Sequence, residues 1–494
     1  MNLATVIEEH DAGQRALHSR GRWTSYGELR DQVGRARAAL VARGMEPGDR
    51  VAIVAGNDVG FVVAYLAVLG VGAVAVPLNP ASPAPELQRE LATVTARLVV
   101  TEPELAGVVG ECETGGIEGF AGIVTVADLT AEGEGDHPPI VARGADDLAI
   151  LLFTSGTAGA PRPAMLTHGN LGANIQQILA NPARPDNRDE VTLCVIPLFH
   201  VFGLNALLGQ ALTVGSSVVL LERFDAQASL EAVAEHGVTV LTGVPTMWAA
   251  WAALPEDQAG PDALASVRYA VSGAAALDPA VRRALRRRYG VDVTEGYGLT
   301  EASPAVTSGL GHGAPDGSIG VPLPGVEMRL VEASGEDALV GDPGEIWVRG
   351  PNVFPGYWKD PEATAAALTP DGWLRTGDVA VVDDDGFLSL VDRAKDVIIV
   401  SGFNVYPAEV EEVLGTHPGV KEVAVVGVPH APSGEAIKAF VVPAPGAELS
   451  EAELIAHVRR HLARYKSPST VEIVDRLPHG ETGKVLRRAL RADG

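Results

Sequence analysis

A chain of 494 residues that is 46% hydrophobic and 20% charged can bury more than one core, so two or more globular domains are expected. Its formal charge of −25 repels nucleic-acid backbones and anionic membrane surfaces, which leaves small molecules as the expected partners. Cys112 and Cys194 are the only cysteines, and they predict neither a disulfide framework nor a zinc site.

The opening MNLATVIEEHDAG carries two glutamates and an aspartate where a secretory signal needs a basic segment and then an apolar one, so the protein is expected in the cytoplasm. Ser25 and Glu28 stand three apart, a capping box before a helical pattern that runs to about Arg43. The apolar run Phe61 to Val76 is 16 residues long. It stops at Pro77, short of the ~20 residues a bilayer needs, and predicts a buried helix. Strand-length runs (VAIVA from Val51, RLVVT from Arg97, LAILLFTSG from Leu148, SVVLL from Ser217) alternate with helical stretches. That alternation predicts an α/β fold with mainly parallel sheets covered by helices.

After Gly344 the texture changes to short strands, EIWVRG and then VAVVDDDGFLSLVDR, with an Asp385-Gly386 turn that predicts an antiparallel segment. From Lys395 onward VIIVSG, EVAVVGV and IKAFVV, together with two helical stretches, suffice for a small α/β domain. The boundary is expected between Asp392 and Lys395, dividing the chain into 1–392 and 393–494. Residues 395–494 carry 12 Lys/Arg against 13 Asp/Glu, so nearly all the negative charge belongs to the large domain.

The segment LLFTSGTAGAP ends an apolar strand in a loop rich in hydroxyls and glycines. Gly156 and Gly159 permit close backbone approach, and Thr154, Ser155 and Thr157 can donate to anionic oxygens, which suits a phosphate cradle. An ordinary strand-to-helix turn is the bland alternative. The GxxxxGK[ST] pattern is absent, so the loop is not that of a P-loop NTPase. It resembles instead the phosphate loop of the adenylate-forming superfamily, which comprises acyl-CoA synthetases, peptide-synthetase adenylation domains and beetle luciferases.

Four further motifs extend the resemblance over almost the whole chain. VSGAAAL with EGYGLTEASP resembles the family's adenine pocket and phosphate-metal site. This implies nucleotide contacts for Gly273, Ala274, Ala275, Glu295, Gly296, Tyr297 and Gly298, a donor to the α-phosphate in Thr300, and Mg²⁺ held by Glu301 with Thr157. TGD with VDRAKD resembles the ribose clamp and hinge, with Asp378 and Arg393 on the ribose and Lys395 as the pivot. SGFNVYPAEVE resembles the pantetheine-channel loop, Ser401, Gly402 and Phe403, where CoA approaches. In PHGETGKVLRRAL, Lys484 matches the catalytic lysine that neutralises charge as the acid attacks ATP. Taken alone, each motif has a structural explanation as a turn, an ion pair or a strand end.

The resemblance implies a large N-terminal domain of two sheet-and-helix subdomains plus a distorted β-barrel, and a small C-terminal domain that rotates between half-reactions. It implies ATP, Mg²⁺ and coenzyme A, and an acyl-adenylate intermediate. The expected acyl pocket comprises Phe199, His200, Gly203, Met247, Gly273, Gly298 and Pro304, with Trp248 and Trp251 adding to a greasy tunnel. Its source, CVIPLFHVFGLNALLG, offers no acidic residue to hold an ammonium, so a medium- or long-chain fatty acid or an aryl acid is expected in preference to an amino acid. His200 is implied to gate the thiol channel and Arg223 to reach the CoA nucleotide, although a core histidine and a surface arginine are the plain alternatives. Transfer to a carrier protein is the runner-up, disfavoured because the insertion typical of those ligases is missing; the enzyme is expected to be a monomer or homodimer. A regulator without catalysis is the remaining reading, prompted by Ala158, Arg162 and Pro163 where relatives carry threonine, lysine and glycine. Arg162 is expected still to serve the nucleotide phosphates.

Overall fold

The computed structural model describes residues 2–133, 137–154, 162–183, 189–332, 334–393, 398–431, 433–478 and 490. Two seven-stranded sheets dominate the N-terminal part. One runs in the order Gly356–Tyr357, Arg162–Thr167, Leu148–Thr154, Val74–Leu78, Arg50–Val54, Leu98–Thr101, Ile123–Thr125. Its last five strands are parallel, as runs of apolar residues buried on both faces require. The other runs Thr294–Glu295, Tyr269–Ser272, Val240–Gly243, Val191–Cys194, Ser217–Leu220, Arg15–Ser19, Arg22–Ser25, and only its final pair is antiparallel.

The helix Tyr26–Ala42 starts at the expected capping box, in which Ser25 Oγ accepts from the Glu28 N–H and Glu28 accepts from the Ser25 N–H. The run expected to be one buried helix is two elements. Asp58 caps a helix over Val59–Gly70, and the chain then turns at Gly72, φ 76°, into the strand Val74–Leu78. Periodicity could not separate them, because both the helix and the strand are enclosed on all sides and neither needs a polar face. Among the described residues, no helix is long and apolar enough to cross a membrane.

A four-stranded antiparallel sheet follows, Glu327–Val331, Gly344–Arg349, Leu374–Val382 and Leu388–Arg393. Its last hairpin turns where expected: Gly386 has φ 85°, and its N–H donates to the Asp383 carbonyl. From Ile398 onward a five-stranded sheet with the helices Pro407–Gly415 and Glu451–Arg459 encloses its own core around Val410, Leu414, Val425 and Leu454. Both cysteines are free and buried, and burial pushes the Cys194 thiol up to about 12.

Candidate active site

A cavity of about 320 Å³ opens at the carboxyl ends of the second sheet's strands, where the antiparallel sheet and the C-terminal sheet also converge. In parallel α/β sheets that edge is the usual ligand crevice. The segment Ser272–Ala276 curls around the cavity, with Ala274 held at φ 71°. A side chain at Gly273 would stand 2.9 Å from the Phe202 ring, so the glycine lets that ring form an aromatic wall. Gly298 bridges Ala305 and lies so close to the Pro304 carbonyl that no Cβ fits. These two glycines therefore serve close packing as well as ligand access.

At one end the polar groups converge. The Tyr297 hydroxyl donates to Asp378 Oδ2 at 2.7 Å. Asp378 and Arg393 are direct partners on adjacent antiparallel strands. Glu301 Oε1 accepts from the Tyr357 hydroxyl at 2.7 Å and from Thr154 Oγ1 at 3.3 Å. Burial, followed by the charge of Glu301, raises the Tyr357 phenol and keeps it a donor. Thr300, Glu301, Tyr297, Gly296 and Asp378 all line the cavity with Thr154. This constellation offers a carboxylate for a divalent ion, hydroxyl donors for phosphate oxygens and a carboxylate for vicinal hydroxyls. Among the described residues, no group of three or more His, Cys, Asp or Glu forms a metal cage. One carboxylate sharing Mg²⁺ with phosphates matches that ion's usual habit.

His200 stands where the acyl cavity meets the C-terminal sheet. Its ring lies 5.4 Å from that of Phe403, which in turn stacks on Tyr465 at 4.6 Å. Its Nε2 is sealed from solvent without a hydrogen-bond partner. Burial, reinforced by the charge of Lys466, lowers its pKa to about 4, so the imidazole is neutral near pH 7. Ser401, at φ 53°, and Gly402, at φ 85°, carry their loop onto the cavity. A Cβ on Gly402 would meet Val244 at 2.7 Å.

Several expected residues lie elsewhere. The Gly203 Cα faces the carbonyls of Ile196 and Pro197, each 2.6 Å from where a Cβ would stand, so it serves helix packing and not the acyl pocket. Trp248 and Trp251 are fully buried, edge to face at 4.9 Å in a separate core; Met247 alone of that helix lines the cavity. Trp248, one residue on, is turned about a quarter of the way round the helix from Met247, and Trp251, one turn on, packs against Trp248 in that core and not on the cavity. Phe199 contacts the His200 ring but is absent from the lining, where Phe202 takes the aromatic role. Glu295 is buried and accepts from the Leu277 N–H at 2.8 Å, bracing the loop behind the cavity. The Arg162 guanidinium is bound to Asp360 at 2.8 Å and is not part of the lining. Arg223 is exposed in the loop after Ser217–Leu220, away from the cavity. Ser155, Gly156, Thr157, Ala158, Gly159, Lys395 and Lys484 lie outside the described residues, as does the Arg393 side chain.

A second buried cluster, unmarked by any motif, joins the helix Pro407–Gly415 and the turn Arg464–Lys466 beside the C-terminal sheet to the N-terminal body. Lys466 Nζ lies between Glu86 and Glu409, within hydrogen-bond contact of Glu86 and 2.8 Å from Glu409. All three side chains are less than a tenth exposed. Glu86 also accepts from the Ala463 N–H at 2.8 Å. Glu90, on the same helix as Glu86, has a sealed Oε2 with no partner, and burial followed by the charge of Glu86 pushes its pKa to about 8.

Residues 4–358 match the AMP-binding enzyme family, and residues 409–484 match the AMP-binding enzyme C-terminal domain. A feruloyl-CoA synthase from Amycolatopsis sp is 42% identical over 479 residues, 96% of this chain and 95% of that protein. A long-chain-fatty-acid–CoA ligase from Yersinia pestis is 36% identical, covering 97% and 92% of the two chains. The solved amide bond synthetase from Marinactinospora thermotolerans superposes with a TM-score of 0.90 at 32% identity, over 100% of this chain and 99% of that one. The chain belongs to the AMP-binding enzyme family, in the acyl-CoA synthetase branch of the adenylate-forming superfamily.

Proposed function

We propose that the protein ligates an apolar aryl carboxylic acid to coenzyme A, in place of the fatty acid to which the sequence gives first weight. The reading is supported by the loop Ser401–Phe403, seated against His200 at the mouth of an enclosed cavity, and by the 42% identity to an aryl-acid relative. Asp378, tied to Tyr297, receives the ribose hydroxyls of ATP, with Arg393 beside it. Thr154 and Thr300 donate to phosphate oxygens, and Glu301 with Thr157 holds Mg²⁺, which neutralises phosphate charge. The bound acid lies along Phe202, Met247 and Pro304, its carboxylate aimed at the α-phosphate.

Carboxylate oxygen attacks the α-phosphorus and pyrophosphate leaves, with Lys484 spreading the developing charge. The sulfur of CoA then attacks the adenylate carbonyl and AMP leaves. The chain's task in this second step is access. The Gly402 backbone leaves room for the pantetheine arm, and neutral His200 can accept a hydrogen bond from the thiol without placing a cation beside the acyl chain. In this reading the division at 392–395 is the swivel between the two steps, Lys395 its pivot, and the enzyme works in the cytoplasm as a monomer or homodimer.

Acid-dependent ATP–pyrophosphate exchange over phenylpropenoic, benzoic and C6 to C16 straight-chain acids tests the reading, with mass spectrometry of the products when CoA is added. Exchange with aryl acids and an acyl-CoA product are expected. Exchange with straight-chain acids alone would restore the fatty-acid reading. Acylation of a phosphopantetheinyl carrier but not of CoA would exclude CoA as acceptor.

A further inference from the structure

The helix running from beside His200 along the acyl cavity ends at a polar residue with nothing to hold. Gln210 follows the π-helical segment Phe202–Gly209, is 3% exposed and lines the cavity. Its backbone N–H is satisfied by the Asn205 and Leu207 carbonyls, but no hydrogen bond among the described residues involves its carboxamide. The neighbouring buried amides differ. Asn174 bonds Gln177 and both backbone groups of Ala305, Gln177 bonds Asn352, Asn181 bonds Leu310 and Ala183, and Asn205 bonds Leu171 and Ser303. Buried amides in folded proteins are almost always partnered, and one that faces a ligand cavity without a partner points to a bond completed by the ligand.

Position defines which part of the ligand that is. His200 stands in the bend just before the helical rod, and Gln210 lies roughly 10–15 Å along that rod from its start at Val201. His200 faces the C-terminal loop, so Gln210 meets the end of the acid remote from its carboxylate. Ala206 and Leu207, one turn back, make the approach apolar. The charged residues Glu301 and Asp378 of the described lining lie at the nucleotide end, where both are already tied to tyrosines. A remote carboxylate or ammonium would find no counter-charge beside Gln210. A neutral carboxamide, donor and acceptor at once, matches a hydroxyl.

We infer that Gln210 is the specificity residue of this ligase and that it reads a ring hydroxyl at the far end of the substrate, so the preferred acids are hydroxyaryl acids. This rests on the aryl-acid reading above. The aromatic wall of Phe202 against Gly273 supplies the flat surface that such a ring needs.

The test compares kcat/KM for 3-(4-hydroxyphenyl)propenoic acid and 3-phenylpropenoic acid in the wild type, Gln210→Leu and Gln210→Asn, with dodecanoic acid as a third substrate. The wild type is expected to favour the hydroxylated acid by about tenfold or more, mostly through KM, since a site built to bond a hydroxyl penalises the analogue lacking it. Gln210→Leu should bring the two acids together, lowering kcat/KM for the hydroxylated acid far more than for the unsubstituted one, and Gln210→Asn should recover part of the preference. Equal use of both acids by the wild type overturns the inference without any variant, as does a preference unchanged in Gln210→Leu. Turnover of dodecanoic acid with neither aryl acid overturns the aryl reading and this inference with it. Turnover of both aryl acids without discrimination overturns the inference alone.

Discussion

The wall of the acyl cavity and the contact between the C-terminal sheet and the N-terminal body are both buried, yet they are built from opposite chemistry. The wall is Phe202, Met247, Leu207 and their apolar neighbours with two carboxamides, Asn181, already bonded to Leu310 and Ala183, and Gln210. The contact encloses Lys466 with Glu86, Glu409 and Glu90. An apolar wall tolerates many ligands and discriminates by shape, so a single polar group on it has a large influence. A buried ion cluster is indifferent to the ligand but demands one geometry, because moving either side leaves uncompensated charge. The first decides what is bound. The second favours the arrangement in which the Gly402 loop faces the cavity, and the domain rotation proposed between the half-reactions would have to break it.

The largest expected effect separates the two half-reactions. Lys484→Ala should reduce pyrophosphate exchange by about 10³-fold, the scale of a removed transition-state charge partner, while supplied acyl-adenylate is still converted to acyl-CoA. Gly402→Leu should do the reverse, because its φ of 85° and the nearness of Val244 exclude a side chain. Equal loss of both steps in both variants would remove the case for a turning domain.

Breaking the ion cluster comes next. Lys466→Met leaves Glu86 and Glu409 buried without their cation, a loss of about 3–5 kcal/mol in the docked arrangement. Rapid-quench measurement should show slowed thioester formation with exchange retained, and Glu86→Gln combined with Lys466→Met should recover part of the loss. If both steps continue at the wild-type rate, the cluster has no part in docking.

A smaller effect follows from pH. Burial and the charge of Glu86 raise the Glu90 carboxyl to about 8, so the docked arrangement retains a proton that a solvated carboxylate releases at a much lower pH. Docking is therefore fully supported below the usual carboxylate range and weakens as pH rises towards about 8, by at most about tenfold per pH unit. Lys466, Glu86, Glu409, Arg89 and Tyr465 face the same group, so the control is Glu90→Gln, which should flatten this part of the thioester rate profile. An unchanged profile in that variant would assign the titration to another group.

The smallest effect sharpens the wall. Met247→Ala removes apolar surface next to the acid and should raise KM for the acid by about tenfold with little change in kcat, whereas Trp248→Phe, in the core behind, should alter stability and leave KM unchanged. A shift in acid KM with Trp248→Phe of similar size would show that the two tryptophans shape the cavity after all.

The sequence by itself determined the parallel sheets, the capping box at Ser25 and the hairpin at Asp385-Gly386, because these follow from local propensity and period. It also determined the family, since motifs in a fixed order survive as text, and with them Tyr297, Thr300, Glu301 and Asp378, which the fold gathers on one cavity. Tertiary structure alone decided which side of an element each remaining residue faces. Gly203, Trp248 and Trp251 carry the composition of an acyl tunnel, yet they face backbone and core, because an apolar run on an enclosed helix has no polar residue to mark its inward face. The same limit hid Tyr357 and Gln210, whose places depend on neighbours far away in sequence. Lys466 and Glu86 lie 380 residues apart, and each alone reads as a solvated surface charge. Only the packing of one domain against the other removes the water from both and makes them a single buried pair.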